Sequence, residues 1–302
     1  HYELKQYQEA IPMLQLALSD LGGSDHQKYQ LGYCYYRTGD CDQANRMFTP
    51  ITRLKTQIAQ MAYYHMADCY LNADKKRQAR AAFREASKMR FDEQITEDAL
   101  FNFAKISYEL SFDPYNEAIE AFEKYIAEHP NSPRVDEAYA FLVQVYLTTR
   151  NFQKALTSIE RIKNKDEALK RTYQRVAYLR GIELFNDRDD LNAIVQLRKV
   201  KKYPISARLL AQAQFWTAEA YSRLGKNEAA EIGYRRFIEL PGAVGLNEYP
   251  LAEYGLGYSY FERKDHEQAI EHFRKFAGAA RNQDKQLTDA YLRIGDSYYL
   301  LR

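Results

Sequence analysis

The pattern of apolar and polar positions repeats along the whole chain. One column of alanines, Ala10, Ala44, Ala79, Ala118, Ala155, Ala193, Ala230 and Ala269, recurs every 34 to 39 residues. A second small residue precedes most of them by twelve positions: Gly32, Ala67, Gly181, Ala218 and Gly257, with the bulkier Val143 in the same place. Ala104 precedes Ala118 by fourteen, and Gly295 continues this second column. An aromatic follows the second column by three, at Tyr35, Tyr70, Tyr146, Tyr221, Tyr260 and Tyr298. A large apolar residue follows the alanine by four, at Leu14, Phe48, Phe83, Phe122, Ile159, Leu197, Tyr234 and Phe273. Spacings of three and four place side chains on one helix face. Two helices approach closely only where small residues meet, so a constant distance between two small residues predicts one helical hairpin copied along the chain.

These columns resemble the tetratricopeptide repeat family, whose unit is a helix–turn–helix of about 34 residues. The resemblance covers the whole chain. It implies an all-α, right-handed α-solenoid of stacked hairpins, with about seven full repeats and a partial repeat at each end, forming a single domain over 1–302. Breaks between helices fall at Leu21–Asp25, Gly39-Asp40, Asp74-Lys75-Lys76 and Asp187–Asp190. Repeat three is irregular: its two extra residues fall in Ser111–Tyr115, where Pro114 cannot continue a helix. That segment is either a longer turn or a Phe112/Tyr115 knob for a partner. The stretch Pro241–Pro250 reads as a longer loop that either flexes or folds over an edge, with the next helix starting near Leu251.

Within this family, the run Ala118–Pro133 leading into Asp136-Glu137-Ala138-Tyr139, and Lys202-Tyr203-Pro204-Ile205-Ser206, are similar to the links between repeats in bacterial envelope proteins. The Tol–Pal coordinating protein and the outer-membrane assembly lipoprotein are of this type, as are long arrays in Bacteroidetes. The resemblance implies a periplasmic or outer-membrane-associated place, with a cytoplasmic repeat protein as the alternative.

Charge narrows the partners. Forty-three Lys+Arg against 41 Asp+Glu give a formal charge of +2, which does not mark a nucleic-acid binder. No apolar run is long enough to span a membrane. No signal peptide is visible, and the chain reads as a fragment that begins and ends inside a repeat. Uncapped terminal repeats predict self-association. Three cysteines are too few for a disulfide framework. Cys34 and Cys69 read as small buried hydrophobes. Cys41 lies in the turn near Cys34, which leaves a local disulfide between those two open.

The first helix of each hairpin lines the concave face in this family. Counting from the small column, the candidate groove residues are Tyr29, Tyr33, Tyr36, Tyr64, Phe101, Lys105, Tyr108, Tyr178, Phe215, Glu219, Arg223, Tyr254, Tyr258 and Phe261. Tyrosine suits both a groove and a core, because its body is apolar while its hydroxyl can stay wet. One reading packs these rings between neighbouring helices. The other makes them a groove for a peptide or partner helix, with Lys105, Glu219 and Arg223 setting register. Glycan stacking on the same stripe is the alternative. A carboxylate clamp of the cochaperone kind is not expected, since Tyr29/Tyr33, Tyr64/Asp68 and Phe101/Lys105 stand in its place.

No catalytic, cofactor or metal motif emerges, so the chain reads as a non-enzymatic scaffold. His266 and His272 are six apart and leave different faces of a helix, unlike a zinc-protease pair, so His266 reads as packing. Gly255-Leu256-Gly257 follows no strand and is no dinucleotide loop. Asp189 and Asp190 read as solvated turn carboxylates.

Overall fold

The computed structural model describes residues 6–21, 23–110, 116–280 and 284–302. Among these there are sixteen α-helices and no strand. The chain divides into two compact units, His1–Thr149 and Arg150–Arg302. Unit 1 holds α1 (Tyr7–Leu21), α2 (Asp25–Thr38), α3 (Cys41–Phe48), α4 (Gln57–Asn72), α5 (Lys76–Met89), α6 (Glu93–Leu110), α7 (Asn116–Glu128) and α8 (Val135–Thr148). Unit 2 holds α9 (Phe152–Arg161), α10 (Glu167–Asn186), α11 (Asp190–Lys199), α12 (Ala207–Arg223), α13 (Asn227–Glu239), α14 (Glu248–Glu262), α15 (His266–Ala279) and α16 (Asp284–Leu300). Within each unit sequential helices pack as antiparallel neighbours, and each first helix also touches the next first helix, as α4 touches α6 and α12 touches α14. That is an α-solenoid arrangement of hairpins.

The small columns do the work the sequence assigns them. Ala44, Ala79, Ala118, Ala155, Ala193 and Ala269 are wholly buried. A Cβ added to Gly257 would lie 2.6 Å from the Phe273 ring, and one added to Gly181 would lie 2.6 Å from Leu197. Those large residues are the ones four positions after the alanine, so the small residue of one helix is the socket for the large residue of the next.

The turn inside each hairpin has a fixed address. Gly39, Asp74, Arg150, Arg188, Gly225 and Lys264 all adopt positive φ, between 54° and 87°, and each stands seven residues after the second column. Only two of the six are glycine, although the left-handed region costs an L-residue about 1–2 kcal/mol. The residue after it opens the second helix: Asp40, Asn151, Asp189 and Asp265 each accept an amide hydrogen from the third residue beyond.

Between hairpins, buried glutamines hold the link. Gln60 accepts from the backbone N–H of Phe91 and Asp92 and donates to Ala86 O and Thr96 Oγ1. Gln174, at the same place seven before the small column, accepts from Ser206 N and donates to Ser206 O. Glu97 is their counterpart and accepts from the Tyr125 hydroxyl at 2.9 Å.

One reading left open is decided and two expectations are corrected. Pro241–Pro250 is packed: Ala243 and Leu246 join the core with Phe237, and Gly242 is required because a Cβ there would meet Ala207 O at 2.2 Å. The following helix starts at Glu248 rather than Leu251, since Pro250 lies in its first turn, where no amide hydrogen is needed. Cys69, expected as a small buried hydrophobe, bonds to Cys41, with Cα atoms 5.4 Å apart, while Cys34 is free and buried. The Cys41–Cys69 bond ties the start of α3 to α4 and so staples one hairpin to the next. The Ser111–Tyr115 segment, with its Phe112/Tyr115 knob, lies outside the described residues.

Candidate functional site

The first-helix face of unit 1 is built from α2, α4 and α6. Tyr33 and Tyr36 are half-buried on α2, and Tyr64 and His65 half-buried on α4. Ring centroids run 5.9 Å from Tyr33 to Tyr36, 4.7 Å from Tyr36 to His65 and 5.7 Å from His65 to Tyr64, a continuous shelf of rings. Tyr7 meets Tyr33 edge-on at 5.7 Å, and the Arg37 guanidinium lies over the Tyr7 ring at 5.1 Å. The hydroxyls are fixed from the next repeat. Tyr36 donates to Asp68 at 2.6 Å, and Tyr64 donates to Asp98 at 2.5 Å. Asp98 is held in turn by Arg134 and Asn102, and Arg134 lies 3.9 Å over the Phe101 ring. Burial and the acceptor carboxylates push both hydroxyls well above the usual phenol range, so they stay protonated donors.

His65 stands at the centre of this shelf, its Nε2 3.2 Å from the Tyr29 hydroxyl. Desolvation by the surrounding rings drops its pKa to about 4, against which the Asp68 charge acts only weakly, so the imidazole is neutral at pH 7.

Unit 2 repeats the theme on α14 and α16. Tyr254 and Tyr258 both donate to Asp289 of the next first helix, and Arg293 reaches the Tyr258 hydroxyl at 3.4 Å. Burial and Asp289 raise both phenol pKa values. Phe261 is half-buried between the His266 ring and the Arg293 guanidinium. Desolvation raises the Glu219 carboxyl pKa although it accepts from Tyr234 at 2.7 Å.

The candidate residues thus divide. Tyr29, Phe101 and Phe215 are 3%, 0% and 1% exposed and belong to the core; their rings pack against Phe48, Phe122 and Tyr234. The remaining candidates, Lys105, Tyr108, Tyr178 and Arg223 among them, are half-buried. Arg223 sets no register for a guest: its guanidinium is 3.4 Å from the Phe185 ring centroid and bonds Asp190 and Phe185 O. Asp190 is consequently buried rather than solvated, and Asp189 caps α11. His266 is buried, as packing requires, while His272 pairs with Glu253 at 2.6 Å and stacks on Tyr260. Sequence reasoning missed His65, Asp98 and Asp289. Their signal was weak but present: Asp98 and Asp289 each stand six residues before the second small column, on helices that follow a tyrosine-bearing one.

Among the described residues no cluster of His, Cys, Asp and Glu could hold a metal ion, and no helix is long and apolar enough to cross a membrane.

Family comparisons agree with the geometry. Tetratricopeptide repeat profiles match residues 64–133, 212–242 and 251–279, and the profile of the anaphase-promoting complex (cyclosome) subunit 3 matches residues 3–86. The chain belongs to the tetratricopeptide repeat family, a fold that generally serves protein–protein interaction. Similar solved structures include a tetratricopeptide repeat protein from Parabacteroides merdae (14% identity, covering 88% of this chain and 98% of that one, TM-score 0.41). The C-terminal part of a repeat protein from Cytophaga hutchinsonii is similar at 16% identity, covering 87% and 98% with a TM-score of 0.41. The TPR2AB domain of yeast Sti1, in complex with pHSP90, is similar at 16% identity over 91% and 97%, with a TM-score of 0.41. No curated protein matches the chain.

Proposed function

We propose that this chain is a non-enzymatic scaffold that holds a peptide or partner helix on its first-helix face, in an assembly of the bacterial envelope. The observation that carries the binding reading is the shelf of Tyr33, Tyr36, His65 and Tyr64. Its rings are half-buried and the Tyr36 and Tyr64 hydroxyls are pinned by Asp68 and Asp98, so a guest meets a rigid apolar surface with little entropy left to lose. The Cys41–Cys69 bond supports the envelope reading, because disulfides persist in oxidising compartments and are rare in the cytosol. Self-association fits the apolar residues left open on α16, where Tyr291, Leu292 and Tyr299 are 60%, 60% and 76% exposed.

Tyr33→Ala tests the shelf. A groove anchor costs about 2 kcal/mol or more of binding on truncation, with little change in melting. A ring needed for the core would cost about 3–5 kcal/mol of stability instead. Pull-down from envelope extracts with Tyr33→Ala and Tyr258→Ala, each paired with a melting curve, separates the two. A glycan array hit without any protein partner would overturn the proposal in favour of sugar stacking.

A further inference from the structure

We propose that the groove between α11 and α13 in unit 2 is a second binding site, on the second-helix side of the hairpins, for a short acidic segment of a partner protein in which one carboxylate is flanked by aliphatic side chains. It is independent of the aromatic shelf.

The groove is a real concavity. α11 and α13 both pack on α12, which forms its floor. One cavity of about 280 Å³ lies between Leu197 and Arg198 on one side and Ile232 and Arg236 on the other. A second, of about 470 Å³, continues it past Pro204, Leu210 and Leu240. The two share Lys201, Gln214 and Arg236. The floor therefore runs from Leu210 to Tyr221 on α12, which at about 1.5 Å per residue is roughly 16 Å. An extended chain rising about 3.3 Å per residue fills that length with about five residues.

Its chemistry is one-sided. Arg198, Lys201 and Arg236 converge at the middle, and apolar walls lie to either side. Among the described residues none of the three has an ion-pair partner: Arg198 donates to the Tyr221 hydroxyl at 2.7 Å and lines the cavity. Glu239, the carboxylate on these walls, lies toward the Leu240 end. Partial desolvation, and then the Arg236 and Arg198 charges, lower the Lys201 ammonium pKa.

The register explains why this groove lacks the ion pairs that its counterpart between α5 and α7 carries. Arg198 stands five residues after Ala193, as Arg84 stands five after Ala79. Arg84 and Arg80 pair with Glu117 of α7, which stands one before Ala118. At the corresponding place on α13 the residue is Ala229, and it lines the cavity. Two positions after the alanine, Glu120 of α7 is matched by Ile232. Of the three acids that α13 carries, Glu231 pairs with Arg263 of the next hairpin and Glu239 lies toward the Leu240 end. On the other side, Lys199 of α11 reaches back to Glu160 of α9. Glu117, Glu160 and Glu231 thus each answer a cation of a neighbouring hairpin. Here the internal carboxylate is missing, and an aliphatic residue stands where an acid would be. A guest that supplies a carboxylate at the centre and aliphatic side chains two residues to each side matches both features.

The test is fluorescence anisotropy with a labelled pentapeptide of leucine, alanine, glutamate, alanine and leucine, titrated with the whole chain. Binding is expected, with a dissociation constant that rises with salt. Arg236→Glu should weaken it about tenfold or more, and so should glutamine in place of the peptide glutamate. Lys226→Glu, an exposed charge change on the same unit, should alter it less than about twofold. Melting curves and circular dichroism confirm that each variant is folded, and a second reversal, Lys201→Glu, stands in if Arg236→Glu is not. Indifference to both reversals, binding of the glutamine peptide equal to the glutamate peptide, or no binding at millimolar concentration would overturn the assignment. Equal competition by inorganic phosphate and by the unlabelled peptide would also overturn it, in favour of a simple anion site.

Discussion

The α5–α6–α7 and α11–α12–α13 triplets share one backbone plan and differ in how their second helices face each other. In the first, Arg80 and Arg84 of α5 meet Glu117 of α7, and Arg90 meets Glu128 at 2.5 Å. In the second, cations stand on both walls, and among the described residues the one carboxylate there, Glu239, makes no ion pair with them. The difference includes positions 117/229 and 80/194, where Glu117 and Arg80 are matched by Ala229 and Ile194, and none of these belongs to the hairpin columns. In this family the columns fix the shape and the positions beside them fix what the surface recruits. Surface ion pairs are worth little in stability, about 0–1 kcal/mol each, so their presence or absence costs the fold almost nothing and is free to serve recognition.

Unit 1 is also stapled covalently, and this gives the largest contrast. Cys41→Ser should destabilise unit 1 by about 3–4 kcal/mol, from the chain entropy of a closed loop of this size. Hydrogen exchange should report the loss in α3 and α4, with amides of α11–α13 unchanged. Next, Gly257→Leu in unit 2 should cost about 2–3 kcal/mol, because its side chain would be driven into Phe273. Trp216 fluorescence, which reports unit 2, is the probe. An unchanged melting curve would mean that the register linking Gly257 to Phe273 is misread.

The third contrast is in pH. His65 titrates at about 4 in the folded chain, below its value of about 6.5 when unfolded. Between these values the unfolded state binds the proton and the folded state does not. Stability contributed here is full above pH 6.5 and falls as pH drops toward 4. At pH 5 the loss is about 2 kcal/mol. His65→Phe should flatten this dependence in denaturant titrations at pH 7 and pH 5. The smallest effect belongs to Glu117→Ala, which should cost no more than about 1 kcal/mol. A larger loss would mean that the α5–α7 ion pairs are structural, and the comparison with α11–α13 would then be about stability rather than recognition.

The hairpins were legible because a glycine or alanine facing a phenylalanine or leucine leaves a mark at constant pitch. The left-handed turn residue was legible only in part: Gly39 and Gly225 announce it, whereas Arg150, Arg188 and Lys264 hold the same conformation with no local sign. The disulfide was hidden because Cys41 and Cys69 are 28 residues apart and meet only when two hairpins stack. The candidate stripe lies on first helices, and the aromatic three before the small column faces inward at Tyr29, Phe101 and Phe215 and stays half-exposed at Tyr64, Tyr178 and Tyr254. Depth at that position depends on what the neighbouring repeat offers. Tyr64 and Tyr254 find Asp98 and Asp289 for their hydroxyls near the surface, and the two phenylalanines have no such tie.

The decisive measurement is calorimetric titration of the leucine–glutamate–leucine pentapeptide into the double variant Ala229→Glu/Ile232→Glu, which gives α13 the acids that α7 carries. Heat of binding that disappears while the melting temperature holds or rises slightly is the expected result, since Arg198 and Arg236 would then be neutralised from within. Binding as strong as in the unaltered chain would show that the missing carboxylates do not define the groove, and the account of how these repeats divide shape from recognition would fail.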